Sequence, residues 1–257
     1  MEELKDFHSR IGELFSKRKI PALSVVFDTE RIHDWSDRLC QHFRCDADAI
    51  SRACSNIYWA FAEMQLATGH CLWIIETETL TLGYSKENKQ AQPPQINLAD
   101  IYYWYYVSCV WEMIYRSWER QALLLQLVFF GEDKNPHFNT VLYNLEERFP
   151  RISSMSTFQA LKKKIKKWNN VAKRRNKLSH QHSIVFSYLD TEYRERPIIG
   201  PEGQPLYYEL TDFPDPKREL DRIVQYYKET SEILIKVHDF TEECISKKVG
   251  TPSTILP

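Results

Sequence analysis

The chain has 257 residues, and only seven of them are glycine. A soluble domain usually carries about 7% glycine, so left-handed turns and tight hairpins must be few. The low glycine content and the absence of GxGxxG and GxxxxGK[ST] motifs argue against β-sandwiches, β-barrels, Rossmann folds and P-loop enzymes. The formal net charge is −1, so any attraction to nucleic acid or membrane must come from a local charge pattern.

The first third of the chain predicts three helices. Residues 3–18 form a short polar helix, and residues 28–45 form a weakly patterned one. Residues 46–79 carry apolar side chains at three- and four-residue spacing, with Gly69 as a candidate break. Residues 83–94 are polar and end in a Pro-Pro pair, which predicts a linker and the main internal boundary.

The middle of the chain predicts one very long helix. Asn97 is a good N-cap, no proline or glycine occurs between Leu98 and Phe130, and Gly131 ends the helix. Such a helix would span about 50 Å. Its predicted apolar stripe is Ile101, Trp104, Ser108, Trp111, Tyr115, Trp118, Ala122, Leu125 and Phe129. The aromatic run at 102–106 could stack bases, but covering the core and a subunit interface is the favoured interpretation.

Three further helices are expected, over residues 138–149, 157–183 and 215–247. The last begins at Asp215, a good N-cap, with Pro216 at the first helical position. Between the last two, residues 184–214 contain two alternating stretches joined by a loop rich in proline and glycine, which predicts a small β-hairpin-like insertion.

The predicted fold class is all-α. We expect an up-down antiparallel four-helix bundle over residues 96–250, with the insertion at 184–214. An N-terminal helical region over residues 1–95 precedes it, and a short tail follows over residues 251–257.

Nothing in the sequence predicts a membrane span, a cofactor or a metal. The most apolar segment, 101–111, is too short for a bilayer, and the charged residues 1–10 do not resemble a signal peptide. The six cysteines form no CxxC pair, and Cys40, His42 and Cys45 lack a second ligand pair at zinc spacing. We therefore expect a reduced, cytoplasmic protein.

The strongest local anomaly is a run of basic residues. Nine lysines and arginines and no acid occur between Lys162 and Lys177. Such a face is typical of phosphate binding, and its predicted RNA contacts are Lys163, Lys166, Lys167, Arg174 and Lys177. A solvated face balanced by acidic neighbours is the alternative.

The basic run leads into the segment Arg175-Asn176-Lys177-Leu178-Ser179-His180. Arg175 continues the apolar stripe of its helix, so its guanidinium would be partly enclosed and would need an anionic or carbonyl partner. Asn176 and His180 are four residues apart and can touch. Together the three side chains offer a phosphate clamp, an orienting amide and a proton carrier.

This segment resembles the Rx4-6H motif of the HEPN superfamily (higher eukaryotes and prokaryotes nucleotide-binding domains), including the polar residue after the arginine. The resemblance covers about residues 96–248. It implies an all-α bundle that commonly dimerises, with two Arg–His motifs meeting at one cleft. Many members are metal-independent endoribonucleases in antiviral or toxin–antitoxin systems, whereas others only bind. The family often has an acidic or polar residue on its first helix, for which Glu112, Arg116 and Glu119 are candidates.

The resulting hypothesis is a homodimeric, metal-independent endoribonuclease of single-stranded RNA, with Arg175, Asn176 and His180 in catalysis. His182 is a less favoured second histidine. An antitoxin or defence protein is an implied partner. The alternatives are a non-catalytic HEPN-type module that binds RNA, nucleotide or protein, and a purely structural helical protein.

Overall fold

The computed structural model describes residues 2–22, 28–80, 97–131, 137–180, 198–199, 205–206 and 215–250. These residues form an all-α protein, as predicted, with one very short pair of strands. The elements are α1 (Glu2–Lys17), α2 (Thr29–Phe43), α3 (Ala47–Thr77), α4 (Leu98–Phe130), α5 (Phe138–Arg148), α6 (Pro150–Ser153), α7 (Ser156–Lys162), α8 (Ile165–His180), β1 (Ile198–Ile199), β2 (Pro205–Leu206) and α9 (Pro216–Lys247).

Helix α4 has the predicted bounds and the predicted caps. Asn97 accepts a hydrogen bond from the Asp100 backbone N–H, and Asp100 accepts one from the Asn97 N–H, which completes a capping box. Gly131 ends the helix in the left-handed conformation, with φ +66°. Of the predicted stripe, Ile101 is exposed, and Ser108 and Tyr115 are only half-buried; the other six side chains are buried.

Helices α3 and α4 form an antiparallel hairpin. The Asn97 Nδ2 donates to the Thr79 carbonyl at 2.7 Å, so the end of α3 adjoins the start of α4. Further along, His70 stacks on Tyr106 with a ring-centroid distance of 4.2 Å. Gly69 does not break α3, contrary to expectation. A Cβ at Gly69 would lie 2.6 Å from Ile11 Cδ1, so this glycine permits close packing of α1.

Helix α9 is fixed to the rest of the protein by three tryptophan indoles. Trp35 of α2 donates to Thr241, and Trp118 of α4 donates to Thr230, each at 2.9 Å. Trp111 of α4 donates to Glu219, also at 2.9 Å. Buried side chains from the N-terminal helices and from α4 onward belong to one continuous hydrophobic core.

The basic segment forms two helices, where the sequence predicts one. Helix α7 ends at Lys162 and α8 begins at Ile165, and the Lys164 N–H bonds to Leu161, three residues back, in the tighter turn between them. No proline or glycine marks this break. Lys164, in the turn, binds Glu229 and Glu232 of α9, a contact between distant helices that local periodicity does not include.

Part of the predicted insertion is described. Ile198–Ile199 pairs antiparallel with Pro205–Leu206. The other residues of 184–214, the predicted linker at 83–94 and the tail at 251–257 lie outside the described residues. Among the described residues, every helix is too short or too polar to span a bilayer, and no cluster of three or more His, Cys, Asp or Glu side chains is arranged to bind a metal ion.

Candidate functional site

Arg175 of α8 meets Glu112 of α4. The Arg175 Nε donates to Glu112 Oε2 at 2.9 Å, and the Arg116 Nε donates to Glu112 Oε1 at 3.0 Å. Glu112 is thus the anionic partner that a partly enclosed Arg175 requires. Two guanidiniums share this one carboxylate, so the trio keeps a net positive charge at neutral pH.

An aromatic stack orients the Arg175 side chain. Its guanidinium carbon lies 4.9 Å from the centroid of the Tyr115 ring. Tyr115 stacks on Trp168 at 5.0 Å, and Trp168 stacks on Trp118 at 6.0 Å. Because Trp168 is nearly fully buried, this stack joins the core to an Arg175 side chain that remains about one-third exposed.

Asn176 extends the same cluster. Its Oδ1 accepts a hydrogen bond from the Arg175 NH1 at 3.3 Å, and the residue is exposed. The structure therefore brings together Arg175, Asn176, Glu112 and Arg116, which the sequence named as candidates from different parts of the chain.

The ion pair between Arg175 and Glu112 shifts the pKa values of both side chains. Burial alone would raise the pKa of Glu112, but hydrogen bonds from Arg175 and Arg116 outweigh it, and the pKa lies below its usual value. The hydrogen bond with Glu112 likewise raises the pKa of Arg175, against the effect of partial burial.

Glu119 lies near a histidine that sequence reasoning missed. The His137 Nδ1 is 3.4 Å from Glu119 Oε1, and its ring is 6.4 Å from that of Trp168. Burial raises the pKa of Glu119, although the neighbouring His137 opposes this shift. His137 is the residue before α5, and nothing in its local sequence points to α4.

The two predicted histidines lie outside the described side chains. His180 is the last residue of α8, but its side chain, that of Lys177 and the whole of His182 are outside the described part of the structure. Trp168 lies beside Trp118 and Arg175 beside Glu112, so α8 runs antiparallel to α4. His180 follows Arg175 by about 7.5 Å along the axis, toward the N-terminal half of α4.

Acidic residues of other helices neutralise much of the basic run. Five of its nine cations form ion pairs: Lys162 with Glu146, Lys164 with Glu229 and Glu232, Lys167 with Glu229, Arg174 with Glu219, and Arg175 with Glu112. Two of the predicted RNA contacts, Lys167 and Arg174, are therefore already paired. Lys163 and Lys166 are exposed, as is Lys173. These three lysines form the exposed part of the basic run among its described side chains, and the predicted phosphate contacts stay a prediction.

Comparisons with known proteins give no match: no family model fits the chain, and neither the curated proteins nor the solved structures contain a significantly similar one.

The Glu112 ion pairs predict acid-dependent stability. A carboxyl whose pKa is lowered by folding stabilises the protein above its unfolded pKa, and this contribution is lost as pH falls through the folded pKa. We expect Glu112→Gln to lower the free energy of unfolding by about 1–2 kcal/mol at pH 7. The difference in free energy of unfolding between the variant and the wild type should shrink below pH 4.5, the ordinary pKa of a glutamate side chain. Urea titrations of both proteins at pH 7 and pH 3.5 measure this difference in the free energy of unfolding.

The matched control for this titration is Glu147→Gln, because Glu147 is an exposed glutamate of α5. Its effect should be small at both pH values. An equal loss of stability for Glu112→Gln at pH 7 and pH 3.5 would show that the ion pairs contribute nothing.

Proposed function

We propose that this protein is a HEPN-type, metal-independent endoribonuclease of single-stranded RNA. Its catalytic side chains are those of Arg175, Asn176 and His180. The observation that carries the proposal is the position of Arg175, which is half-buried, stacked on Tyr115 and fixed by Glu112. A guanidinium held in one orientation is what stabilisation of a phosphate transition state requires. The Rx4-6H resemblance and the all-α fold agree with this assignment.

The proposed reaction uses the RNA's own nucleophile. The 2′-OH attacks the adjacent phosphorus, and the bond from phosphorus to the 5′-oxygen of the next nucleotide breaks. His180 accepts the 2′-OH proton as general base, and a histidine of a second protomer supplies the proton to the leaving oxygen. Arg175 stabilises the charged pentacoordinate phosphate, and Asn176 orients it. The products are a 2′,3′-cyclic phosphate and a 5′-hydroxyl.

Glu112 has a defined part in this scheme. It holds Arg175 against the aromatic stack through Nε, while Arg175 NH1 donates to Asn176 Oδ1. Arg116 also binds Glu112, so the carboxylate keeps a second cationic partner while Arg175 binds a phosphate.

A second candidate function is a non-catalytic binding module. The observation that favours it is the extent of internal pairing, because Arg175 and four other cations of the basic run already have acidic partners. Incubation with labelled single-stranded RNA in EDTA separates the two functions. The nuclease yields discrete fragments, whereas the binding module shifts the RNA intact.

The N-terminal half of α4 predicts a homodimer. Leu98, Ile101, Tyr102 and Tyr105 are exposed at the spacing of one helix face. We expect light scattering to give twice the chain mass of 30.6 kDa at micromolar concentration. Replacing Tyr102 and Tyr105 together by glutamate should give monomers, because paired faces would then bury charge.

The control for the dimer test is Tyr143→Glu, since Tyr143 is also exposed but lies on α5. This variant should remain dimeric. If the wild-type protein is monomeric at tens of micromolar, the homodimer is contradicted, and no second protomer supplies a histidine to the proposed site.

The outer lysines predict sequence-independent RNA binding. Changing both Lys163 and Lys166 to Gln should weaken binding about equally for different RNAs, because such lysines contact phosphates and not bases. The slope of log affinity against log salt should fall by about 1.4, at about 0.7 per phosphate contact on single strands. Lys162→Gln is the control, since Lys162 is paired with Glu146. Salt-insensitive binding by the wild type would contradict this interpretation.

A further inference from the structure

We infer that Glu219 of α9 is a positioning residue for Arg175, acting through the neighbouring Arg174. This inference deepens the proposed function and rests on it for its catalytic consequence. Glu219 is fully buried, whereas long charged side chains are almost never fully buried without partners. Its partners come from α4, α8 and α9, and they lie next to the candidate site.

Two hydrogen-bond donors and one further cation contact the Glu219 carboxylate. Trp111 Nε1 of α4 donates to Oε1 at 2.9 Å, and Arg222 NH1, on α9 like Glu219, donates to Oε2 at 3.2 Å. Arg174 NH2 of α8 forms an ion pair with Oε1 at 2.8 Å. That NH2 is buried and, within the described residues, has no hydrogen bond of good geometry, so Arg174 depends on the charge of Glu219.

Two consecutive residues of α8 thus meet two consecutive residues of α4. Arg174 reaches Glu219 and lies with its guanidinium carbon 6.0 Å from the Trp111 ring. Arg175 reaches Glu112, the next residue of α4. Successive side chains on a helix diverge by about 100°, so the two contacts together fix both the rotation and the register of α8.

The consequence for Arg175 follows from the cost of burying an unpaired charge. Without the Glu219 carboxylate, the buried Arg174 NH2 loses its charge partner and α8 loses one of the two contacts that fix its rotation, so we expect α8 to turn and bring Arg174 toward solvent. A rotation that exposes Arg174 also withdraws Arg175 from Glu112 and from the Tyr115 ring. Glu219 therefore sets the position of Arg175 without touching the RNA.

The experiment observes Arg175 directly. In protein labelled with ¹⁵N at arginine, the Nε–H signal of Arg175 is assigned by its loss in Arg175→Lys. We expect this signal to shift or to broaden away in Glu219→Gln and in Arg174→Gln. The second variant guards against misfolding, because Glu219 then keeps Arg222 and Trp111 as partners.

The matched control is Glu229→Gln. Glu229 also joins α9 to α8, through Lys167 and through Lys164 in the turn before α8, but these contacts lie at the opposite end of α8. This variant should leave the Arg175 signal in place. An unchanged signal in folded Glu219→Gln and Arg174→Gln overturns the inference, and so does an equal shift in Glu229→Gln.

A kinetic readout connects the inference to the proposed function. We expect Glu219→Gln to lower kcat for RNA cleavage by about 100-fold, the size of effect that small misplacements produce, with little change in KM. Unchanged kcat together with a shifted Arg175 signal would overturn the catalytic consequence. A wild-type protein that does not cleave RNA refutes the proposed function, whereas the Arg175 signal still tests the positioning by itself.

Discussion

Arg175→Ala is expected to lower kcat for RNA cleavage by about 10²–10³-fold, with a smaller effect on RNA affinity. The guanidinium is oriented by Glu112 and Tyr115, and its charge is needed most when the phosphate becomes pentacoordinate. Arg175→Lys should restore little of this activity, because an ammonium cannot bind Glu112 and a phosphate with the same fork geometry. Initial rates on a labelled single-stranded RNA in EDTA measure the effect.

Two observations guard this test. Arg151→Ala removes an exposed arginine of α6 and should cut RNA at the wild-type rate. Arg175→Ala should also retain its helical circular dichroism, since Arg116 remains to pair with Glu112. Wild-type cleavage by a folded Arg175→Ala protein would remove Arg175 from the mechanism.

Trp168→Ala should have the largest effect on stability. Trp168 is nearly fully buried, stacks on Tyr115 and Trp118, and lies 6.4 Å from the Phe138 ring. Removing a buried indole leaves a cavity that its neighbours fill only in part, which costs about 3–5 kcal/mol. The total stability of a domain is about 5–15 kcal/mol, so urea unfolding should shift strongly toward lower concentration.

Trp59→Ala is the matched control for this change. Trp59 is 63% exposed on α3, and its loss should alter the free energy of unfolding by less than about 1 kcal/mol. Similar losses for the two variants would show that the aromatic stack below Arg175 is not part of the folded core.

Local signals in the sequence explain why the long helices were predictable. The bounds of α4 follow from Asn97, from Gly131 and from the absence of proline and glycine between them. The start of α9 follows from Asp215 and Pro216 in the same way. The break between α7 and α8 has no such residue, and it was missed because the helical periodicity continues across it.

The sequence predicts which residues give the candidate site its positive charge, but it does not predict which acidic residues pair with them. The basic run is visible in the sequence, whereas its acidic partners lie on other helices, α4, α5 and α9, between 16 and 68 residues away along the chain. Glu112 was a candidate from the family resemblance, but its contact with Arg175 depends on how α8 packs against α4. Glu219 and His137 carry no local signal, because an isolated glutamate or histidine at a helix end is ordinary in sequence.

The 2′-hydroxyl at the cut site provides the most direct test of the proposed chemistry. The substrate is a labelled single-stranded RNA, compared with the same RNA carrying one 2′-deoxy nucleotide at the mapped cleavage position, both in EDTA. The proposal predicts that the RNA is cut to products ending in 2′,3′-cyclic phosphate, that the deoxy substrate resists, and that a folded His180→Ala protein cuts neither. Equal cutting of the deoxy substrate, or full activity of His180→Ala, would contradict the proposed mechanism.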